Sequence, residues 1–199
     1  MSIAAPVGVG YGRHNMLNGV AVMSGLIVPF RGVTPAIAQD AFIAQNATLI
    51  GNVKVASKAS IWFNCVLRGD VGEITVGANT NLQDGSIVHV TEGEADTHIG
   101  ANIVIGHRVV LHGCTLHDWC FVGMDAVLLD GAVVETGAMV AAGALVTPGK
   151  RVPAGELWAG RPAKFWRAVT PEEREHWVPH VQHYVDLGQE YIGEAQKRG

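Results

Sequence analysis

Apolar residues recur at every sixth position through most of the chain. Ile37, Ile43, Leu49, Val55, Ile61 and Leu67 form one run, Val76, Leu82 and Val88 a second, Ile99, Ile105 and Leu111 a third. A last run goes from Leu116 through Val122, Leu128, Val134, Val140 and Val146 to Val152, which brings the count to nineteen beats. A period of six is neither helical nor the plain alternation of a half-buried strand. It predicts short strands joined by tight corners, three to a triangular coil, with the coils stacked by parallel pairing. The beat residues would fill the prism as a narrow Ile/Leu/Val ladder, and nineteen of them make about six coils. The fifth residue of many hexads is small or β-branched, as at Ala59, Cys65, Thr80, Ser86, Ala126, Ala132, Ala138 and Ala144, which suits a crowded corner.

Two interruptions break the count. Three extra residues fall between Leu67 and Val76, in the stretch RGDVGE, and five between Val88 and Ile99, in HVTEGEADTH. Insertions in a solenoid become loops, often where binding happens. The β-helix is read as residues 26–165 and a helical segment as 166–199. Thr170 is the expected N-cap of that helix, Pro171 its first residue and Glu173 the partner in a capping box. Trp177, Val181, Tyr184, Gly188 and Tyr191 make one helical face, to lie against the prism, and Pro179 should kink or split the helix. Residues 1–25 are glycine-rich, with Arg13 the only fixed side-chain charge, and read as a loosely ordered extension within which Met16 and Met23 offer alternative starts. The apolar run at 16–30 is too short and too broken by glycine to span a bilayer.

Coil register decides which histidines can meet. His89 directly follows the beat Val88, and His112 directly follows the beat Leu111, three steps and therefore one coil later. The two share a face on successive coils, about 4.8 Å apart by strand spacing. Arg68 follows the beat one coil below His89. His107 lies two residues past Ile105, round a corner, with Asp84 one coil below it and Gln83 beside Asp84. A catalytic metal needs three converging ligands. His89 and His112 supply two, and a neighbouring prism packed face to face could bring in its own His107. Three such prisms in a ring would carry three sites. Within the RGD tripeptide, Arg68 and Asp70 read best as an ion pair at a subunit contact.

Composition narrows the classes. One domain is the default for 199 residues, and 48% apolar content is ample for a core. A formal charge of −4 and the lack of a basic run argue against nucleic acid. Cys65, Cys114 and Cys120 are odd in number and have no metal-type spacing, so they read as reduced core thiols of a cytoplasmic protein.

The motifs RGD (68–70), NLQDGSIVHVT (81–91), IGHRVVLHGCT (105–115) and VGMDAVLLDGA (122–132) together resemble the gamma-class carbonic anhydrase family, over roughly residues 26–192. The resemblance implies a left-handed parallel β-helix, mainly β with a C-terminal α-helix, assembled as a homotrimer with zinc, or iron or cobalt, at its interfaces. It implies His89 and His112 as ligands from one protomer and His107 from the next. Arg68 would pair with an aspartate across the interface, Asp70 and Asp84 being the matching positions. Gln83 would hydrogen-bond the water or bicarbonate, and Tyr184 matches a helix tyrosine that approaches the site. The implied reaction is reversible hydration of CO2 to bicarbonate. A divalent ion on three imidazoles keeps an open position for water and brings that water's pKa to about 7.

The chain departs from the family's archetype in three places. Val71 stands where a glutamate follows the aspartate, His183 stands where many relatives have asparagine, and the acidic loop after the first ligand is short. Glu92, three residues past His89, is the candidate proton shuttle. Other classes remain: a hexapeptide-repeat acyltransferase or thioesterase, and a catalytically weak structural homologue. In all of them the partner is a further copy of the chain or a small molecule, with no membrane and no nucleic acid.

Overall fold

The structure, a computed structural model, describes residues 25–198 together with the antiparallel pair Met16–Leu17 and Val20–Ala21. The expectation of a loose extension over 1–25 lies otherwise outside the described residues.

The chain forms a left-handed parallel β-helix capped by one long α-helix. Its first face carries Phe42–Ile43, Ser60–Ile61, Asn81–Leu82, Val104–Ile105, Phe121–Val122, Met139–Val140 and Glu156–Ala159, all parallel, and is closed by the antiparallel strand Lys164–Ala168. The second face has seven strands, from Leu26–Val28 through Ile87–His89 and Val110–His112 to Leu145–Val146. The third carries Ala36–Ile37, Thr97–Ile99, Thr115–Leu116, Val133–Val134 and Arg151–Val152. Two longer strands, Thr48–Val55 and Val66–Val76, run round the corner between the second and third faces. The seven turns include one begun by Leu26–Val28, ahead of the counted beats.

The beats point inward. Leu49, Ile61, Leu67, Leu82, Val88, Ile105, Leu128, Val134 and Val140 are fully buried. At about 1.5–3 kcal/mol for each buried Val, Ile or Leu side chain, this ladder is the main term holding the coils together. Small residues fill the corners as expected, and the hydroxyls among them serve the backbone. Thr80 donates to Gly100 O (2.7 Å) and accepts from Ile103 N (3.1 Å); Ser86 does the same one turn of the corner away, toward Gly106 O and from Val109 N. Three residues before most of the beats the chain takes positive φ, at Asn64, Asn79 and Asn102 but also at Arg108 and Trp119. The corner geometry imposes this, and non-glycine residues tolerate it at a cost.

The helix Pro171–Arg198 is continuous. Pro179 does not split it. Thr170 and Glu173 form the capping box, Glu173 Oε2 accepting from Thr170 N at 2.9 Å and Thr170 Oγ1 accepting from Glu173 N at 3.3 Å. Arg167 grips the same carboxylate with both Nη1 and Nη2 at 2.8 Å. The helix covers the first face and runs back down the prism. Trp177 stacks on Phe121 (5.9 Å), Tyr184 meets Trp62 (5.4 Å) and Tyr191 meets Phe42 (5.2 Å).

The three faces therefore differ outside. The first is covered by the helix. The outward residues of the third are largely polar: Lys54, Thr75, His98, Thr115 and Arg151. The second presents Val66, Ile87, Val110, Val127 and Leu145 in a stacked row, none of them buried.

Candidate metal centre

Pairing of Ile87–His89 with Val110–His112 sets Val88 against Leu111 and His89 against His112. The inward beats lock that register, so the next residue of each strand must face out, and the two imidazoles stack on neighbouring coils. His89 Nδ1 and His112 Nε2 are 3.1 Å apart.

Each ring's other nitrogen meets a carboxylate. His89 Nε2 is 3.1 Å from Asp70 Oδ1, and His112 Nδ1 is 2.6 Å from Asp130 Oδ1. The hydrogen bonds from Arg68 and His89 hold Asp70 below the usual carboxylate range against the opposing effect of burial, and the bond from His112 does the same for Asp130. An ionised carboxylate only accepts, so an imidazole carrying a single proton donates it outward and turns its other nitrogen to the neighbouring ring. Two such nitrogens, 3.1 Å apart, can share a cation. Two nitrogens bound at about 2.0–2.1 Å to a tetrahedral zinc ion stand about 3.3 Å apart, so the donors present fit a metal.

His107 repeats the pattern at a different corner. Its Nδ1 is 3.0 Å from Asp84 Oδ2, and among the described residues no hydrogen bond involves its Nε2. All three histidines are thus oriented by an aspartate, the arrangement by which proteins set the tautomer and donor strength of metal ligands. Because Leu82 pairs with Ile105, Asp84 sits directly below His107. Gln83, beside it, is buried and donates to Asn81 Oδ1 at 3.2 Å. Tyr184 approaches from the helix; its hydroxyl pKa is raised by burial and by the nearby charge of Asp84.

The expected site residues consequently fall into two groups. Arg68, Asp70, His89 and His112 gather on the margin between the second and third faces. Gln83, Asp84, His107 and Tyr184 gather on the margin between the first and second. Among the described residues no three His, Cys, Asp or Glu side chains converge as a metal site within one chain. Arg68 bonds Asp70 of its own chain at 2.8 Å. Glu92 is exposed on the loop after His89, which a Thr91–Ala95 bridge closes, and among the described residues no hydrogen bond or ion pair ties it to either group. The His183 ring lies 5.5 Å from that of Tyr184. Cys65, Cys114 and Cys120 are free and buried, and burial pushes the thiols of Cys65 and Cys114 up to about 12.

Asp130 is a residue that reading the sequence missed. It lies two residues past the beat Leu128, which pairs with Leu111, so coil counting could have placed it beside His112. Thr91 and Thr97 were missed as well. Thr91 donates to Asp130 Oδ2 (2.9 Å); Thr97 donates to His89 O (2.6 Å) and accepts from Gly113 N (2.9 Å).

The fold is that of a hexapeptide-repeat β-helix protein, with His89 and His112 paired on one margin of a face and His107 on the other. A solved hexapeptide transferase family protein from Anaplasma phagocytophilum superposes with a TM-score of 0.81 at 48% identity, covering 84% of this chain and 98% of that one. The chain is 47% identical over 169 residues to gamma carbonic anhydrase 2, mitochondrial, of Arabidopsis thaliana, covering 82% of this chain and 61% of that protein. It is 40% identical over 173 residues to a carbonic anhydrase of Geobacillus kaustophilus, covering 87% and 94%. The chain belongs to the gamma carbonic anhydrase family. It spans 61% of the length of the Arabidopsis relative. No protein-family model matches it.

Proposed function

We propose that the protein is a metal-dependent carbonic anhydrase, hydrating CO2 reversibly to bicarbonate at sites shared between the subunits of a homotrimer. The observation that carries this is the set of three aspartate-oriented imidazoles placed on the two margins of one face: His89 and His112 on one, His107 on the other. Half-sites on opposite margins meet only head to tail, and head-to-tail contacts close into a ring where the rotation between neighbours closes. The face between them is the uncovered apolar one. Three such faces directed at a common axis would bury Val66, Ile87, Val110, Val127 and Leu145 and bring His107 of each chain to the histidine pair of the next. The family names of the relatives support the same reaction.

The residues present would hold zinc, with iron or cobalt as alternatives, and the bound ion would make hydroxide available near neutral pH. Asp70, Asp84 and Asp130 keep the ligand nitrogens bare. Gln83 supplies a hydrogen bond to orient the attacking oxygen, and Tyr184 narrows the site beside it. Arg68 holds Asp70 in place. CO2 offers few polar handles, so apolar residues near the site would hold it. Among the described residues no helix is long and apolar enough to cross a membrane.

The test is metal content and CO2-hydration rate on anaerobically purified protein. One metal per chain with hydration lost on chelation is expected. Acyl-group turnover from a coenzyme A thioester, indifferent to chelation, would instead place the chain with the acyl-transferring hexapeptide proteins.

A further inference from the structure

Four coils contribute in order to one row along the margin between the second and third faces: Asp70, His89, His112 and Asp130, with contacts of 3.1, 3.1 and 2.6 Å. The row looks symmetrical, a carboxylate at each end of an imidazole pair, but its two ends are chemically unequal. Asp70 also accepts from the guanidinium of Arg68 at 2.8 Å, so a cation of the same chain shares its charge. Among the described residues the second oxygen of Asp130 accepts only the neutral hydroxyl of Thr91, at 2.9 Å. Among the described residues no lysine or arginine pairs with Asp130.

The backbone is shaped to admit that carboxylate. Gly113, immediately after His112, has φ +58°, and a Cβ there would stand 2.4 Å from Asp130 Oδ1. A side chain at 113 would push the carboxylate off the ring. Thr91 comes from the interrupted stretch between Val88 and Ile99, and Thr97 opens the strand that follows it. Thr91 braces Asp130, and Thr97 ties the backbone at His89 to that at Gly113.

We propose that Asp130, held by Thr91, is the principal positioning residue for the metal ligand His112, and that the shortened loop serves as its brace. This rests on the reading of His112 as a ligand. An unshared carboxylate on Nδ1–H strengthens Nε2 as a donor more than the charge-shared Asp70 strengthens His89. Losing Asp130 should therefore weaken the metal more than losing Asp70.

The experiment is titration of the chelator-stripped full chain with cobalt(II), following the visible bands, alongside sedimentation and thermal melting. Asp130→Asn keeps the shape and removes the charge; it should weaken cobalt binding by about 10- to 100-fold and shift the bands, with mass and melting unchanged. Asp70→Asn should lose less. Thr91→Val should weaken binding partially and Thr91→Ser restore it, which keeps the proposal testable if Asp130→Asn folds poorly. Wild-type affinity and bands in Asp130→Asn, or in Thr91→Val should the former not fold, overturn the proposal. So does an affinity loss that only follows loss of the oligomer. A wild-type chain that gives no cobalt bands overturns this and the carbonic anhydrase reading together; bands in the wild type with the variants unchanged overturn this alone.

Discussion

His89 Nδ1 faces His112 Nε2 at 3.1 Å because Val88 is paired with Leu111 one turn of the β-helix away. The inward ladder fixes which residues pair on the outside: His89 and His112 cannot leave neighbouring positions without a slip of the beats, and a slip of one residue would turn every apolar beat toward solvent.

The division of the site between two margins predicts complementation. His89→Ala and His107→Ala homotrimers should each lose the metal. A His107→Ala chain still offers His89 and His112, and a His89→Ala chain still offers His107. Co-refolded mixtures should therefore recover metal. Metal in the mixture no higher than in either variant alone would show that His107 does not serve the neighbour.

The apolar row beside the histidines predicts linked loss of assembly and metal. Ile87→Asp or Val110→Asp places a charge on the uncovered face while leaving the beats Val88 and Leu111 inside. Sedimentation should then report the chain mass of 21.1 kDa in place of about three times that value, with no metal bound. A variant still trimeric and loaded with metal would mean that another face makes the contact.

The capping box predicts a small, pH-dependent share of stability. Thr170→Ala should cost about 1 kcal/mol. The bonds from Arg167 and Thr170 hold the Glu173 carboxyl at about 2, against an ordinary 4.5. A depressed folded-state pKa means stabilisation that is complete above about pH 4.5 and is lost as the pH falls toward 2. The gap between wild type and Glu173→Gln in denaturant melts should accordingly narrow over that window. A gap that widened on acidification would contradict the assignment.

Proton removal should limit turnover. Val71 cannot relay a proton, and Glu92 is joined to neither half of the site. Imidazole-type buffers with pKa near 7 should raise kcat several-fold, since proton transfer is most efficient near the operating pH. They should leave kcat/KM nearly unchanged, because that ratio reports steps through bicarbonate formation. Fast turnover that does not vary with buffer concentration would reveal an internal shuttle, and Glu92→Ala and His183→Ala would identify it.

By itself the sequence determined the coil. A hexad period can be buried only by turning the chain every six residues, so the beats implied the prism, the register and hence the stacking of His89 on His112. It also determined the helix start, because Thr170, Pro171 and Glu173 act locally. The split expected at Pro179 does not occur because a tertiary contact outweighs a local defect: the aromatic packing of Trp177, Tyr184 and Tyr191 on the first face carries the helix through. Only the tertiary structure decided which carboxylate each histidine received. Asp130 lies eighteen residues from His112 in a run of ordinary hexads, and the Thr91 that braces it comes from an insertion that breaks the count. Coil counting can put Asp130 beside His112, but side-chain reach across coils settles whether the two bond, and periodicity carries no information about that reach. Likewise the beats say which residues point out, but not which outward row is left uncovered. That row emerged only once the helix had taken the first face and the polar ladder had marked the third for solvent.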